Sequence, residues 1–566
     1  MKNIIPSFIF FLSIALVWTS CQHDEPSGPI GDIVSAKYNP ATQSFIVKYN
    51  SGREMSYPAT VDNNVDPPTA SYLLDDKTYL YVPDATIAGD ATISEKIHAV
   101  SQFVYDGMSS YYLWADYMTN KKPTIRDVDP EKYFKSVLYT TDKQKGWSWI
   151  TDDVSELLAD FNGEPLAFGY SLAFATTAIQ GEYYAVVKYV FPNTPASDAG
   201  MIRKELIGKI NGQPITDNNW QLLYGREPVT LTIYQLTSTG IVEDRTARIA
   251  PVTIKTDPVL IDTVYQIGEK KIGYLFYTDY ISNYNNRLFE VFSKFKQAGV
   301  TDLVLDIRYN HGGGITAATY LSSLVAPQVS VKAKSPFVGL SYNSFLNQYF
   351  DRKRWSRIDS LGVYAIGEQN PIEANLNLNK IYIIATGDSY SASELTTFCL
   401  RPYMNVVHIG GNTGGKYTAS WTLHAYDEEL GVPIYETKDL TTNEQNELKN
   451  WAMQPIVAKF TDGDNESFED PGYLEPDIPE SEGYIEDWRP LGDTSDRLLG
   501  QAIYSITGDL SYKPAATTLR STGILQSIPS NRFDRPNDLR KESVILDNIT
   551  ILPDELRKII TLQKLQ

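Results

Sequence analysis

The chain has 566 residues, too many for a single hydrophobic core, so three or four domains are expected. Hydrophobic residues make up 42% and charged residues 21%, ordinary values for globular protein, and the 38 tyrosines suit half-buried strands. A formal net charge of -19 argues against nucleic acid, and against an anionic membrane surface held by charge.

The chain opens with Lys2 and an apolar stretch over residues 4–18 that contains Pro6. This is short for a membrane span and reads as an export signal. The signal ends in "WTSC", which resembles a bacterial lipobox: Ser20 is the small residue and Cys21 the residue that carries lipid. Trp18 departs from the usual aliphatic residue at that position. The resemblance implies a signal peptide over 1–20, lipidation of Cys21, and an exported lipoprotein of the cell envelope, anchored in the outer membrane. Asp24 and Glu25 resemble the acidic run that marks surface export in some lipoproteins. Only two cysteines exist, so a disulfide framework is excluded, and Cys399, in an apolar helical stretch, reads as a buried thiol. No H-E-x-x-H or paired C-x-x-C is present, so neither a metal site nor a cofactor is expected.

Residues 21–90 are rich in Pro, Asn, Asp and Gly and read as a tether with a small β hairpin, "SFIVKYNSGREMSYPA", around an Asn-Ser-Gly turn. Residues 91–160 read as a small helical domain, with Ile97, Val100, Val104, Met108 and Tyr111 at three- and four-residue steps. In 165–255, "YYAVVKYVFPNTPASDAG" and "LIGKINGQPI" predict a strand, a short helix closed by Gly200, and a tight Asn211-Gly212 turn. This order resembles a PDZ domain of the kind found inside bacterial proteases. The resemblance implies capture of a peptide as an added strand, with its carboxylate on the loop Gly169-Tyr170-Ser171-Leu172.

A parallel α/β pattern fills 256–512. "KIGYLFY", "DLVLDI", "KIYIIAT" and "VVHIGG" are strands, with helices at "NRLFEVFSKFKQAG" and near 316–324. Residues 513–566 are a C-terminal extension with a plausible terminal helix, "LPDELRKIITLQKL".

"TGDSYSASELTTFCL" offers Ser389, Ser391 and Ser393 at a strand-to-helix turn, and Ser391-x-x-Glu394 also fits a capping box. A serine nucleophile needs a base. Among five histidines only His311, beside a glycine run, is tempting, and a loop histidine is more often merely exposed. Lysine serves instead where its amine is neutral, which requires close-packed surroundings. Lys416 follows Gly414-Gly415 and is such a candidate.

These motifs resemble the tail-specific, or C-terminal processing, serine peptidases, over roughly residues 91–510. That family's nucleophile is the serine three before a Glu, and its base is a lysine 25 residues later. The offset selects Ser391 and Lys416. A third family motif, D-L-R-x-N-x-G-G, stands here as Asp306 to Gly313, with His311 where Pro is common. The resemblance implies a ClpP/crotonase-like α/β peptidase domain beside the PDZ-like and helical domains, hence a multidomain α/β protein. It implies a Ser391–Lys416 dyad and an oxyanion hole from the Ala392 N–H and that of Gly312 or Gly313. Asp306 and Arg308 would brace the loop, and Glu394 would cap the helix. Ser391 Oγ should face Lys416 Nζ within about 3–4 Å, leaving the cap half made.

The family's lysine-orienting Gln is replaced by Ser420, and "NTGG" replaces a P-T-F-G approach. The expected substrates are polypeptide C-terminal segments. The alternative is a non-catalytic peptide- or ligand-binding lipoprotein on the same scaffold; the oligomeric state is open.

Overall fold

The computed structural model describes residues 31–74, 78–177, 183–237, 240–427, 432–433, 440–515 and 525–528. The export signal, Cys21 and the expected terminal helix lie outside the described residues. The chain divides into two compact units at Lys96/Ile97.

The first unit is more than a tether with a hairpin. The expected hairpin is present, with Ser44–Tyr49 antiparallel to Glu54–Pro58. It belongs to a four-stranded sheet, and a second four-stranded sheet runs Thr60–Asp62, Thr69–Leu74, Thr78–Val82, Thr92–Ser94. Phe45, Val47, Ala70 and Leu80 are fully buried in the unit's own core. The strands are two to seven residues long and separated by Pro- and Asp-rich turns, so composition made the segment read as linker.

In the second unit, Ala99–Tyr111 is helical because Val100, Phe103, Val104, Met108 and Tyr111 present one buried stripe. Pro130–Val137, Thr140–Lys145 and Val154–Phe161 follow. Their buried residues join a core that continues through Leu288, Phe292, Leu321 and Ala392. The strand Trp149–Thr151 pairs with Ala452–Gln454, far along the chain. A helix stripe read locally does not reveal which element covers it.

The central sheet has the order Val259–Ile267, Lys270–Tyr277, Asp302–Asp306, Lys380–Ala385, Asn405–Gly410, Ile478–Pro479. All of its pairs are parallel except the first. The expected helices run Asn285–Ala298 and Ile315–Val325. Parallel strands buried on both faces read as continuous apolar runs, which is why "IYIIA" was so clear a signal. Their carboxyl ends carry the loops described below, as in other open α/β sheets.

Residues 165–255 form an antiparallel sheet in the order Gly240–Ile249, Val229–Thr237, Leu206–Ile210, Tyr183–Val190, Tyr170–Thr176. The short helix Pro195–Asp198 carries a Thr194/Ser197 capping box. Asn211 and Gly212, both at positive φ, turn the chain between Leu206–Ile210 and Gln213–Pro214. Beyond Tyr170–Thr176 the sheet gains a further strand, Gln526–Ser527, from the C-terminal extension.

Candidate active site

The strand Lys380–Ala385 ends in a turn that leads to Ser391, and the helix Ala392–Cys399 begins directly after it. Ser391 has φ +52° and ψ -109°, a conformation that side-chain-bearing residues rarely hold. Such strain costs about 1–3 kcal/mol and persists only where the surroundings over-determine it. The surroundings here are hydrogen bonds from the neighbouring serines. Ser389 Oγ donates to the Ile307 carbonyl (2.8 Å) and Ser393 Oγ to the Asn310 carbonyl (2.8 Å). Both stitch the turn to the loop after Asp302–Asp306. Ser391 Oγ, fully buried, has no hydrogen-bond partner among the described residues. Of the three serines it alone keeps its hydroxyl uncommitted.

Glu394 does more than cap a helix. Its buried carboxylate accepts the N–H of Ser391 (2.9 Å), of Gly415 (2.8 Å) and of Lys416 (2.8 Å), and the Thr413 hydroxyl (2.5 Å). Burial pushes this carboxyl up, and the Thr413 hydroxyl and three backbone donors pull it back. One side chain therefore holds the backbones of Ser391 and Lys416 together. Gly414 N–H adds a bond to the Ser389 carbonyl (3.0 Å). Gly415, at φ +89°, must be glycine, since a Cβ there would collide with the Gly472 carbonyl oxygen.

Lys416 is fully buried. Ser391 Oγ makes no hydrogen bond to it. The Glu394 contacts set the two backbones, whereas contact between the two side-chain ends depends on rotamers that no backbone contact fixes. The cap is half made as expected: Glu394 takes the Ser391 N–H, while the Ser391 hydroxyl stays out of the cap.

Gly312 packs directly on the serine turn. A Cβ there would lie 2.9 Å from Ser391 Cβ and 3.1 Å from Ala392 N, and its φ of +109° also demands glycine. The Gly312 N–H, however, is committed to Asn310 Oδ1 (2.8 Å). Of the two glycines expected to donate to an oxyanion, Gly313 therefore has the uncommitted N–H among the described residues, as does Ala392 at the helix start. His311 lies beside Tyr390, ring centroids 5.9 Å apart.

Asp306 and Arg308 brace the loop. Arg308, fully buried, forks onto Asp306 (2.6 Å) and Asp496 (2.9 Å) and also reaches Glu482 (2.9 Å). Burial alone would raise both aspartates; Asp306 does rise, while at Asp496 Arg308 and a backbone donor outweigh burial and hold it low. Arg308→Ala is expected to leave two buried carboxylates uncompensated and cost about 3–5 kcal/mol. A fall in the urea midpoint of the full chain, with an unchanged midpoint for Arg401→Ala on the surface, measures this. Residues 165–255 reach the same loop. Arg203 contacts Glu482 (2.8 Å) and Tyr309 Oη (3.0 Å), and Lys188 pairs with Asp388 (3.4 Å), three residues before Ser391.

Three groups near the site escaped sequence reasoning. Asp142 sits on the N-terminal helical segment. Burial raises its carboxyl, opposed by Ser148, Tyr112 and the charge of Lys416, so it faces the lysine electrostatically. Gln454 is fully buried and its Oε1 accepts from Ser420 Oγ (3.2 Å). It places a glutamine beside Ser420, from a strand 34 residues later. Glu394 had a motif, but one that explained only helix capping. A buried polar residue opposite a suspected base leaves no linear signal.

Gly169 stands at φ +96° beside the strand Tyr170–Thr176, which contains Tyr170, Ser171 and Leu172. Tyr170 Oη donates to the Leu223 carbonyl (2.8 Å). A pocket is lined here by Pro165, Phe168, Tyr170, Phe191, Leu223 and Tyr224.

Residues 271–478 match the model of peptidase family S41, and residues 99–149 match the peptidase S41 N-terminal domain. The chain carries the two domains of peptidase family S41. A putative S41 protease from Bacteroides fragilis NCTC 9343 is similar at TM-score 0.55 and 25% identity, over 72% of this chain and 97% of that one. The photosystem II D1 C-terminal processing protease aligns at 16% identity and TM-score 0.39, over 67% of this chain and 92% of its own. The carboxy-terminal processing protease CtpA of Bacillus subtilis (strain 168) is 24% identical over 275 residues, 48% of this chain. The chain spans about half (52%) of that relative's length. Within the S41 match lie the serine turn, the glycine loop and the lysine loop, whereas Asp496 and residues 165–255 lie outside it.

Proposed function

We propose that this protein is an exported serine endopeptidase that hydrolyses polypeptides through an acyl-enzyme, with Ser391 as nucleophile and Lys416 as general base. One observation carries the reading. The only uncommitted hydroxyl of the serine turn belongs to Ser391, and its backbone shares one buried carboxylate with the backbone of Lys416.

Ser391 Oγ attacks the scissile carbonyl carbon while Lys416 takes the hydroxyl proton. The oxyanion is met by the N–H groups of Ala392 and Gly313, at a helix start where the dipole favours negative charge. Lys416 passes its proton to the leaving amine. Water then attacks the ester with Lys416 again as base. A base must be neutral to take the proton, and burial of the lysine disfavours its charged form. Ser420 and Gln454, hydrogen-bonded to each other, steady the strand Thr418–Ser420 that follows Lys416. The Ser391–Lys416 hydrogen bond forms once substrate is bound, since catalytic hydrogen bonds are commonly looser in unliganded sites.

Residues 165–255 serve as a PDZ-like domain that takes a polypeptide's C-terminal segment beside Gly169, Tyr170, Ser171 and Leu172. A lipid on Cys21 holds the protein at the outer membrane.

The test is covalent labelling. A fluorophosphonate should modify Ser391, located by peptide mass spectrometry, and should abolish cleavage of an unstructured polypeptide. No modification together with no cleavage would sink the proposal.

Asp142 gives a pH test with a definite sign. An ionised carboxylate near Lys416 favours the charged amine, so Asp142→Asn should make the base available at lower pH. The acid limb of kcat/KM is expected to move down by a measurable fraction of a pH unit, with the fold retained.

A further inference from the structure

The strand Gln526–Ser527 adds to the outer edge of Tyr170–Thr176, antiparallel, with Ser527 opposite Ala175 and Gln526 opposite Thr176. The ladder extends one residue further, where the Ile528 N–H donates to the Phe174 carbonyl at 2.9 Å. Side chains go to both faces. Leu525 is 3% exposed in a cluster with Ala175, Val186, Leu206 and Ile485. Ile528 packs against the cluster containing Phe168, Leu172, Phe174 and Leu223. As residue numbers rise along this segment they fall along its partner, so the segment points toward Gly169.

An exposed sheet edge beside an apolar groove is the surface on which extended peptides dock as an added strand, with the ladder giving affinity and side-chain pockets giving specificity. We propose that residues 525–528 are an internal ligand. They occupy the edge and groove that a substrate's extended C-terminal segment would take, in the direction that segment would need, and substrate must displace them. The proposal rests on the reading of residues 165–255 as a peptide-binding domain. It adds which surface is used, what already fills it, and what the competing ligand must offer: an apolar side chain at the place of Ile528.

The balance follows from chain connectivity. A segment tethered to its own site acts at an effective concentration on the order of millimolar, so even a weak internal strand competes strongly. Ile528 is followed by Pro529 and the chain runs on to Gln566, so no free carboxylate stands at Ile528. A true peptide C-terminus brings that charge to backbone N–H groups, which strengthens its hydrogen bonds relative to neutral ones. Self-occupancy therefore excludes internal loops and weak peptides and admits chain ends.

The test uses the full chain and a fluorescein-labelled peptide, Ser-Thr-Gly-Ile-Leu-Gln-Ser-Ile, which copies residues 521–528 and ends in a free carboxylate. Binding is read by anisotropy for the wild type, for Ile528→Asp, and for Leu525→Asp combined with Ile528→Asp. Ile528 is only partly buried, so its single substitution spares the fold. The peptide is expected to bind both variants about 10-fold or more tightly than the wild type. Equal affinity for all three proteins would overturn self-occupancy while leaving the peptide-binding reading intact. Binding to none of them at millimolar peptide would overturn that reading and the proposal with it.

Discussion

Replacing Ser391 or Lys416 by alanine is expected to reduce cleavage of an unstructured polypeptide by about 10⁴-fold or more, with each variant folded as the wild type is. The magnitude is that of losing a nucleophile or its base where the two work as a unit. The double variant should be no slower than either single one, since a base with no nucleophile has nothing to activate. Initial rates at saturating substrate, beside circular dichroism of each protein, measure this. Retention of a tenth of the activity by Lys416→Ala would remove the lysine from its role. Multiplicative losses in the double variant would show the two residues acting independently.

The second large effect belongs to Glu394. Glu394→Ala strips acceptors from three backbone N–H groups and the Thr413 hydroxyl, all in a region closed to water. Each buried donor left unsatisfied costs about 1–3 kcal/mol, and relaxation will recover part of the sum. The chemical consequence is separable from the loss of stability. With the clamp gone, the Ser391 and Lys416 backbones lose their shared anchor, and misplacement by about 1 Å costs about 10²-fold in rate. The expected result is a kcat lowered about 10²-fold or more with KM little changed, at a temperature where the variant remains folded. Glu394→Gln should be intermediate in stability, because its amide keeps one acceptor oxygen and turns an NH₂ toward backbone donors. Equal fluorophosphonate reactivity of Ser391 in wild type and Glu394→Ala would show that the carboxylate does not position the nucleophile.

Both predictions depend on residues with different visibility in the sequence. Ser391 and Lys416 were picked out by an offset that the resemblance to the peptidase family supplied, and the structure places both after adjacent parallel strands. Each follows the carboxyl end of its strand, Lys380–Ala385 and Asn405–Gly410, so their separation along the chain is constrained. The glycines at 312 and 415 are legible because positive φ and close approach of a backbone leave no other choice. The buried strands were legible as apolar runs, and the helix stripes as their three- and four-residue repeats.

Other features depend on contacts between distant parts of the chain. The stripes of the helices from Ala99 onward are local and readable, but which elements cover them is decided by the peptidase core. The first unit read as a tether because its strands are short and its turns rich in proline. Gly312 and Gly313 are equivalent on paper, and Asn310 distinguishes them by taking one N–H. Gln454 meets Ser420 only because Ile456–Thr461 pairs with Thr418–Ser420 and brings the preceding residues alongside. Residues 525–528 carried no strong signal at all, because four residues become a strand only when an edge is there to pair with them.

The sequence by itself determined the elements and the glycine positions, which follow from backbone sterics and hydrophobic periodicity acting between near neighbours; the serine–lysine offset came from the resemblance to the peptidase family. The tertiary structure decided that Ser391 alone keeps its hydroxyl uncommitted, that Glu394 ties it to Lys416, and that the edge strand at Tyr170–Thr176 is already occupied. Those are matters of which donor meets which acceptor across the fold. A buried polar group takes whichever partner packing brings within reach, and packing is a property of the whole chain.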